Sequence, residues 1–467
     1  MSGILHTTSL PPGSRRRFLH TSALCSLGQG LAQLSRLQAS SVIPAARPPD
    51  TAVILVWLTG GLSHLDTFDP KPEAPREYRG DFAPIDTAVP GIHIGELLPQ
   101  LAQVTDRFSL IRSVSHGYGD HDGAHKRVLT GRIPKSATGF VNDAPSVGCI
   151  VNRLRGNNRP DIPAFTSGQR ADTNADSYSQ GAGYLGKSCE PFLVGGDPSE
   201  DNWSVPNLAV VPDLTPRLED RQGLLRQFDR IRSDIDQSGL LDAADHFQRQ
   251  AFSMLTGTAA RKAFDISAEP AAIRDRYGRN AYGQQALLAR RLVEAGTSFA
   301  NVVMEHPGGP SPSGTVYNWD CHAVNCHVFN DARWRFPPFD QAVSALIEDI
   351  WSRGLQKKVL IVVMGEFGHT PRISYQQGTG TGILQPGRDH WPGAMSVLLS
   401  GGGLRMGQAV GSTNRLGETP HERPASPNDL WATVYRHLGI DTQRTFPDRA
   451  GRPMPVLPDG EPIRELI

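Results

Sequence analysis

The stretch KVLIVVMGEFGHTPRISYQQGTGTGILQPGRDHW, Lys358 to Trp391, decides the fold. Its first part, Val359 to Met364, is an unbroken apolar and mostly β-branched run, which is what a strand buried on both faces looks like. Polar chemistry follows at once: Glu366, His369 and Arg372, then a Gly-rich loop, then Arg388, Asp389 and His390. In an open parallel sheet ligands bind just beyond the carboxyl ends of the strands, so this cluster marks a candidate active-site edge.

The same pattern recurs along the chain. Thr51 to Leu58 is a second continuous apolar run; it ends in Gly60 and Gly61, which let the backbone turn sharply and bring His64 and Asp66 to the same edge. Phe108 to Val114 reads as another strand, followed by a segment dense in His and Asp. There His121 and His125 share a face if the segment is helical, the i, i+4 spacing that lets two imidazoles reach one metal. Thr297 to Met304 reads as a strand leading towards Asp320 and His322, and Ala394 to Leu399 as a further strand after His390.

Between these strands, Gln284 to Ala295 and Phe339 to Trp351 carry apolar residues at helical spacing. Ser426, Pro427 and Asp429 form the start of a helix. Residues 132 to 215 read as loops with short strands at Pro163 to Ser167 and Leu208 to Val211, and Arg217 to Ala260 as exposed helix. The βαβ rhythm predicts an α/β fold: a mostly parallel sheet sandwiched between helices, with long loop insertions.

With 467 residues, 48 Gly and 37 Pro, the chain fits one elaborated, loop-rich domain. Lys plus Arg equals Asp plus Glu at 47 each, so no global field draws nucleic acid or an anionic membrane surface. Ser14 to Leu19, SRRRFL, followed by a mildly apolar stretch and small residues, resembles a twin-arginine export signal. It predicts a periplasmic or extracellular protein with a signal and linker at 1–46, an α/β domain at 47–445 and a Pro-rich arm at 446–467. No later segment is long and apolar enough to span a bilayer. Four cysteines outside the signal, Cys149, Cys189, Cys321 and Cys326, are not a disulfide framework; a Cys321 to Cys326 bridge is left open.

Five ordered motifs, GGLSHLDTFDPKP from Gly60, SVSHGYGDHDGAHKRVLTGR from Ser113, WDCH at Trp319, MGEFGHTPR at Met364 and GRDHWP at Gly387, resemble the bacterial family called domain of unknown function 1501. That family is similar in outline to the alkaline phosphatase and sulfatase superfamily. The resemblance implies a metal-bearing strand edge and a nucleophile at the start of the helix that ends in VLTGR. Counting back from that pattern leads to His121, where a phosphatase has Ser or Thr and a sulfatase Cys or Ser. Glu366 and Phe367 stand where an Asp-His pair is expected, and Thr59 or Gly60 where an acidic residue is expected, with Asp66 nearby. His390 falls on a late metal-binding His, and Asp320 with His322 near another Asp/His pair.

Together these readings give a candidate metal set of His64, Asp66, His121, His125, Asp320, His322, Glu366 and His390. His121 is the candidate catalytic group, and Arg372 and Arg388 are anion-binding candidates. So many ligands predict two divalent ions, and the imidazole content favours zinc. The expected function is an exported metal-dependent hydrolase of phosphate or sulfate esters, acting on a small-molecule or glycan ester. The alternative is a non-catalytic, degenerate relative that binds an anionic glycan or a surface partner.

Overall fold

A computed structural model describes residues 50–169, 178–205 and 258–467. In chain order the main elements are β1 (Ala52–Trp57), β2 (Ser109–Val114), α1 (His121–Thr130), α2 (Val147–Arg155), β3 (Phe165–Gln169), β4 (Phe192–Gly195), α3 (Ala281–Ala295), β5 (Phe299–Val303), α4 (Val328–Ser352), β6 (Val359–Met364), β7 (Met395–Gly401), β8 (Gln408–Val410) and α5 (Pro427–Leu438). They build an eight-stranded sheet in the order β8-β2-β7-β6-β1-β5-β3-β4. Every neighbouring pair is parallel except those made by β7, which runs antiparallel to β2 and β6.

The continuous apolar runs are explained by burial on both faces. Along β1, Ala52, Ile54 and Val56 enter one core while Val53, Leu55 and Trp57 enter the other; Val359, Ile361 and Val363 of β6 alternate with Leu360, Val362 and Met364 in the same way. The first core is closed by α3 and α4, the second by α1, α2 and α5. The predicted mostly parallel sheet between helices is the observed architecture. All described residues lie in one compact unit, Pro49–Ile467.

Two helices differ from the sequence reading. α2 lies in a region read as loop: its nine residues end in charge and are followed by Gly156, so its period is short, but Ser146 caps it and Val147, Cys149, Ile150 and Val151 bury one side. α4 starts before Phe339 and runs through Pro337 and Pro338, which in sequence look like a boundary. Interior prolines cost a helix about 3 kcal/mol; here Phe329, Ala332 and Phe336 bury the preceding turns in the same core as Phe339 and Leu346. The proposed strand at 208–211, most of the proposed helix at 217–260 and the export signal lie outside the described residues.

The predicted capping box is present at α5, where Ser426 and Asp429 satisfy each other's backbone N–H groups. Residues after 445 form a small ribbon, Thr445–Pro447 with Pro453–Pro455, and then bury Val456, Leu457, Ile463 and Leu466 against the α5 side of the sheet. No helix among the described residues is long and apolar enough to cross a membrane.

Candidate metal centre

Strand direction determines which residues meet. β1, β2 and β6 are parallel, so their carboxyl ends share one edge, and β7, being antiparallel, starts there. Glu366 follows β6, α1 follows β2, and His390 precedes β7, so all three arrive at one place. Asp320 reaches it because β1 ends in glycines. Gly60 has φ 101° and a Cβ there would strike the backbone nitrogen of Asp320; Gly61 has φ 80° and its Cβ would strike the carbonyl of Phe367.

Glu366 is fully buried. Its Oε1 accepts the Gly60 N–H at 2.8 Å and lies 2.9 Å from His121 Nδ1 and 3.1 Å from His125 Nε2. Asp120 caps α1 by accepting the Gly123 N–H at 2.7 Å, which fixes the register that puts His121 and His125 on one face. Neither ring nitrogen of buried His125 makes an aligned hydrogen bond, and Glu366 Oε2 has no partner. Orphaned donor atoms in a dry place are costly unless something unites them.

The other nitrogen of His121 faces a second carboxylate: Nε2 lies 3.2 Å from Asp320 Oδ2. Asp320 Oδ1 is 2.7 Å from both His322 Nε2 and His390 Nε2, and those two nitrogens are 3.0 Å apart. Two outer contacts orient these rings. His390 Nδ1 donates to the Gly119 carbonyl at 2.8 Å, and His322 Nδ1 meets Asp389 Oδ1 at 2.7 Å. With Nδ1 protonated, a neutral ring presents the lone pair of Nε2 to Asp320, so a proton or a cation must sit between them. Phe367 stacks on His390 with ring centroids 4.2 Å apart and walls this side.

Electrostatics agree with the geometry. Burial alone would lower the His121 imidazole, but its bonds to Asp320 and Glu366 outweigh burial and push it up to about 10. Burial would likewise raise Glu366, yet His125 and His121 hold its carboxyl far below the usual range; Asp320 is held low by His121, His322 and His390 against its own burial. The Asp320 hydrogen bond raises His322. Without a cation, protons hold the cluster together.

Among the described residues two trios could hold a metal ion, His121 with His125 and Glu366, and His121 with Asp320 and His390; within each, the donor atoms lie within 4.8 Å of one another. His322 touches the second. The nitrogen and oxygen donors and the orphaned atoms of His125 and Glu366 fit a divalent cation of zinc type.

Other expected site residues lie outside these trios. Asp66 and Arg388 are buried and pair with each other, Nε to Oδ2 at 2.9 Å. Arg388 spends its remaining donors on the carbonyls of Thr370, Pro371 and Tyr78, so its guanidinium, expected from the sequence to bind an anion, is engaged within the fold. Asp66 is committed to that guanidinium and to Ser63. His64 is fully buried, donates Nε2–H to the Gly417 carbonyl at 2.8 Å, and is lowered by burial. The structure places neither with the trios. Arg372 is exposed.

His369 bonds the Gly60 carbonyl at 2.8 Å and burial lowers it to about 4, so it fixes the glycine turn. Two contributors are not among the expected site residues. Asp389 adjoins His390 in the GRDHW motif, and that adjacency is the signal for a carboxylate that orients a histidine. His116 Nε2 bonds the Glu366 carbonyl at 2.6 Å, a contact no spacing announces. Cys321 and Cys326 form a disulfide with Cα atoms 5.4 Å apart, closing the loop that follows Asp320 and contains His322.

An α/β sheet carrying a carboxylate and imidazole cluster across its strand ends defines the class. The chain belongs to the family described as proteins of unknown function, DUF1501, whose model matches residues 50–467. No curated protein matches it.

Among solved structures it is similar to the lipoteichoic acid synthase LtaP from Listeria monocytogenes, at 10% identity and TM-score 0.36 over 84% of this chain and 73% of that one. It is also similar to the phosphonate monoester hydrolase SpPMH from Silicibacter pomeroyi, at 11% and 0.38 over 89% and 76%. A third is the PsFucS1 sulfatase from Pseudoalteromonas sp., at 11% and 0.34 over 88% and 70%. At such identity neither substrate nor residue roles transfer.

Proposed function

We propose that this chain is an exported metal-dependent hydrolase acting on phosphate or sulfate esters. The carrying observation is His121, whose two nitrogens face two different carboxylates, Glu366 at 2.9 Å and Asp320 at 3.2 Å. An imidazole in that position bridges two anions, which suits a site that collects positive charge. In this reading His121, His125 and Glu366 form one ligand set and His121, Asp320 and His390 the other, with His322 beside it, while Asp389 and the Gly119 carbonyl keep the outer nitrogens occupied.

Bound there, a divalent cation of zinc type supplies Lewis-acid polarisation of an ester oxygen. The chain's own groups do the rest. Glu366 and His125 are buried, whereas the His121 side chain keeps 29% of its surface exposed, so His121 is the member of the inner trio that faces an arriving ester and carries a proton there. Phe367 excludes water from one wall, and exposed Arg372 is the remaining anion-binding candidate. Export is supported by the twin-arginine pattern and by the Cys321–Cys326 disulfide, a bond that persists in oxidising compartments.

The test is metal analysis of the mature protein purified without chelator, beside His121→Ala and His390→Ala. Stoichiometric zinc or another divalent metal in the wild type, reduced in both variants, is expected; wild type without metal sinks the reading. Turnover of aryl phosphates or aryl sulfates that disappears with the metal then fixes the reaction class, and metal without turnover favours the binding alternative.

A further inference from the structure

A second cavity lies along α1, separated from the metal centre by His116. Its volume is about 530 Å3, within the range of small-molecule sites. His116 forms part of its wall while bonding the Glu366 carbonyl with Nε2 and accepting the Tyr118 N–H at Nδ1. The other walls are of two kinds: Arg127, Arg132 and Lys135 supply charge, and the rings of Tyr118 and Tyr184 with Ile133 and Met454 supply apolar surface.

The wall carries Arg127, Arg132, Lys135 and Arg452 against Asp143, Asp448 and Asp459, an excess of one positive charge. Each carboxylate in the wall is already engaged: Asp143 accepts the Lys135 backbone N–H at 2.7 Å, Asp448 pairs with Arg452, and Asp459 takes the Asn428 amide. Arg127 donates to the neutral Asn428 side chain at 2.7 Å, and Arg132 to the Pro455 carbonyl and the Tyr184 hydroxyl. Arg132 Nε is buried with no hydrogen-bond partner. Half-buried guanidinium groups bonded to neutral partners are poised for a carboxylate, which suits their paired N–H groups.

We infer that this cavity binds a small organic carboxylate on an apolar ring, with the carboxylate on Arg127, Arg132 and Lys135 and the ring against Tyr118, Tyr184 and Met454. An isolated inorganic oxyanion would leave the apolar wall unused, and a neutral ring would leave the cations unpaired. The site is separate from the ligand sets of the metal centre and its occupancy does not require a metal.

Isothermal titration of the whole protein with benzoate tests this, using benzamide as the neutral isostere and inorganic sulfate as the ring-free anion. Benzoate should bind at least about tenfold more tightly than either control, as one charge-assisted contact allows. Arg132→Gln should weaken benzoate about tenfold, and so should Lys135→Gln, whose exposed side chain can be changed without disturbing the fold. Glu366→Gln should leave benzoate affinity unchanged. No benzoate binding at millimolar concentration, equal binding of benzamide or sulfate, or retained affinity in both cavity variants overturns the inference. Loss of benzoate in Glu366→Gln also overturns it, because the carboxylate would then belong to the metal centre.

Discussion

Asp66 and Glu366 are both buried carboxylates just past strand ends, and they are neutralised in opposite ways. Asp66 faces Arg388, a permanent cation whose donors are all used, together with the Ser63 hydroxyl. Glu366 faces two imidazoles and one backbone N–H, and leaves one oxygen unpartnered. A guanidinium closes a site for good, since it does not release its proton in the accessible pH range. Imidazoles keep a site exchangeable, because the proton that neutralises the carboxylate can be traded for a metal ion. Of two carboxylates just past strand ends, one is therefore closed by a guanidinium and the other is left to exchangeable imidazoles.

The comparison breaks most visibly at Asp66. Asp66→Asn leaves Arg388 buried beside a neutral group, and loss of one partner of a buried pair costs about 3 to 5 kcal/mol. Denaturant unfolding should show that loss while metal stoichiometry in the surviving folded protein stays at the wild-type level; a lowered stoichiometry would place Asp66 in the ligand set after all. Glu366→Gln should do the reverse. Removing a charged ligand should weaken metal by at least about 100-fold, beyond what outer contacts are worth. A competition titration against a chromophoric chelator reads this directly, and an unchanged affinity would confine any metal to Asp320 and His390.

Local sequence carries one half of this contrast and not the other. β1 and β6 announce themselves because strands buried on both faces carry no polar interruption, and Ser426, Pro427 and Asp429 spell out a capping box. The edge is legible too, since Glu366, His121, Asp320 and His390 each follow or precede an apolar run. Pairing across long separations is not. Nothing local distinguishes Asp66, committed to Arg388, from Glu366, committed to His121, and Arg388 looks like an anion receptor until its four partners are seen. Helix α2 is hidden by its shortness, and the first turns of α4 by the two prolines that usually mark a helix start.

In metal-free protein the same contrast sets a pH dependence. The folded value of His121, about 10, lies above its ordinary 6.5, so its stabilising contribution is complete below pH 6.5 and is lost as pH rises towards 10. One group titrating this way gives a slope of at most about 1.4 kcal/mol per pH unit. The value here should be smaller, because His121 is partly open to solvent. Chemical denaturation of chelator-treated protein between pH 6.5 and 10 should show falling stability that His121→Ala reduces, with His322, also raised by its Asp320 hydrogen bond, supplying the rest. A slope left unchanged in His121→Ala would mean that another group carries the proton.

The smallest effect belongs to Asp389, whose side chain bonds no side chain of either trio and reaches the centre through His322 Nδ1 at 2.7 Å. Asp389→Asn retains an oxygen that accepts the same N–H, so the ring should keep its tautomer and orientation and lose only the push of a negative charge. Outer partners of this kind are worth about 10- to 100-fold in metal affinity when removed, and a substitution that keeps the acceptor should fall at the tenfold end. Asp389→Leu, which removes the acceptor, should cost more, because His322 is then free to present either nitrogen to Asp320. Equal affinities for wild type, Asn and Leu would show that His322 buttresses His390 and Asp320 without being a ligand, and the outer site would reduce to His121, Asp320 and His390.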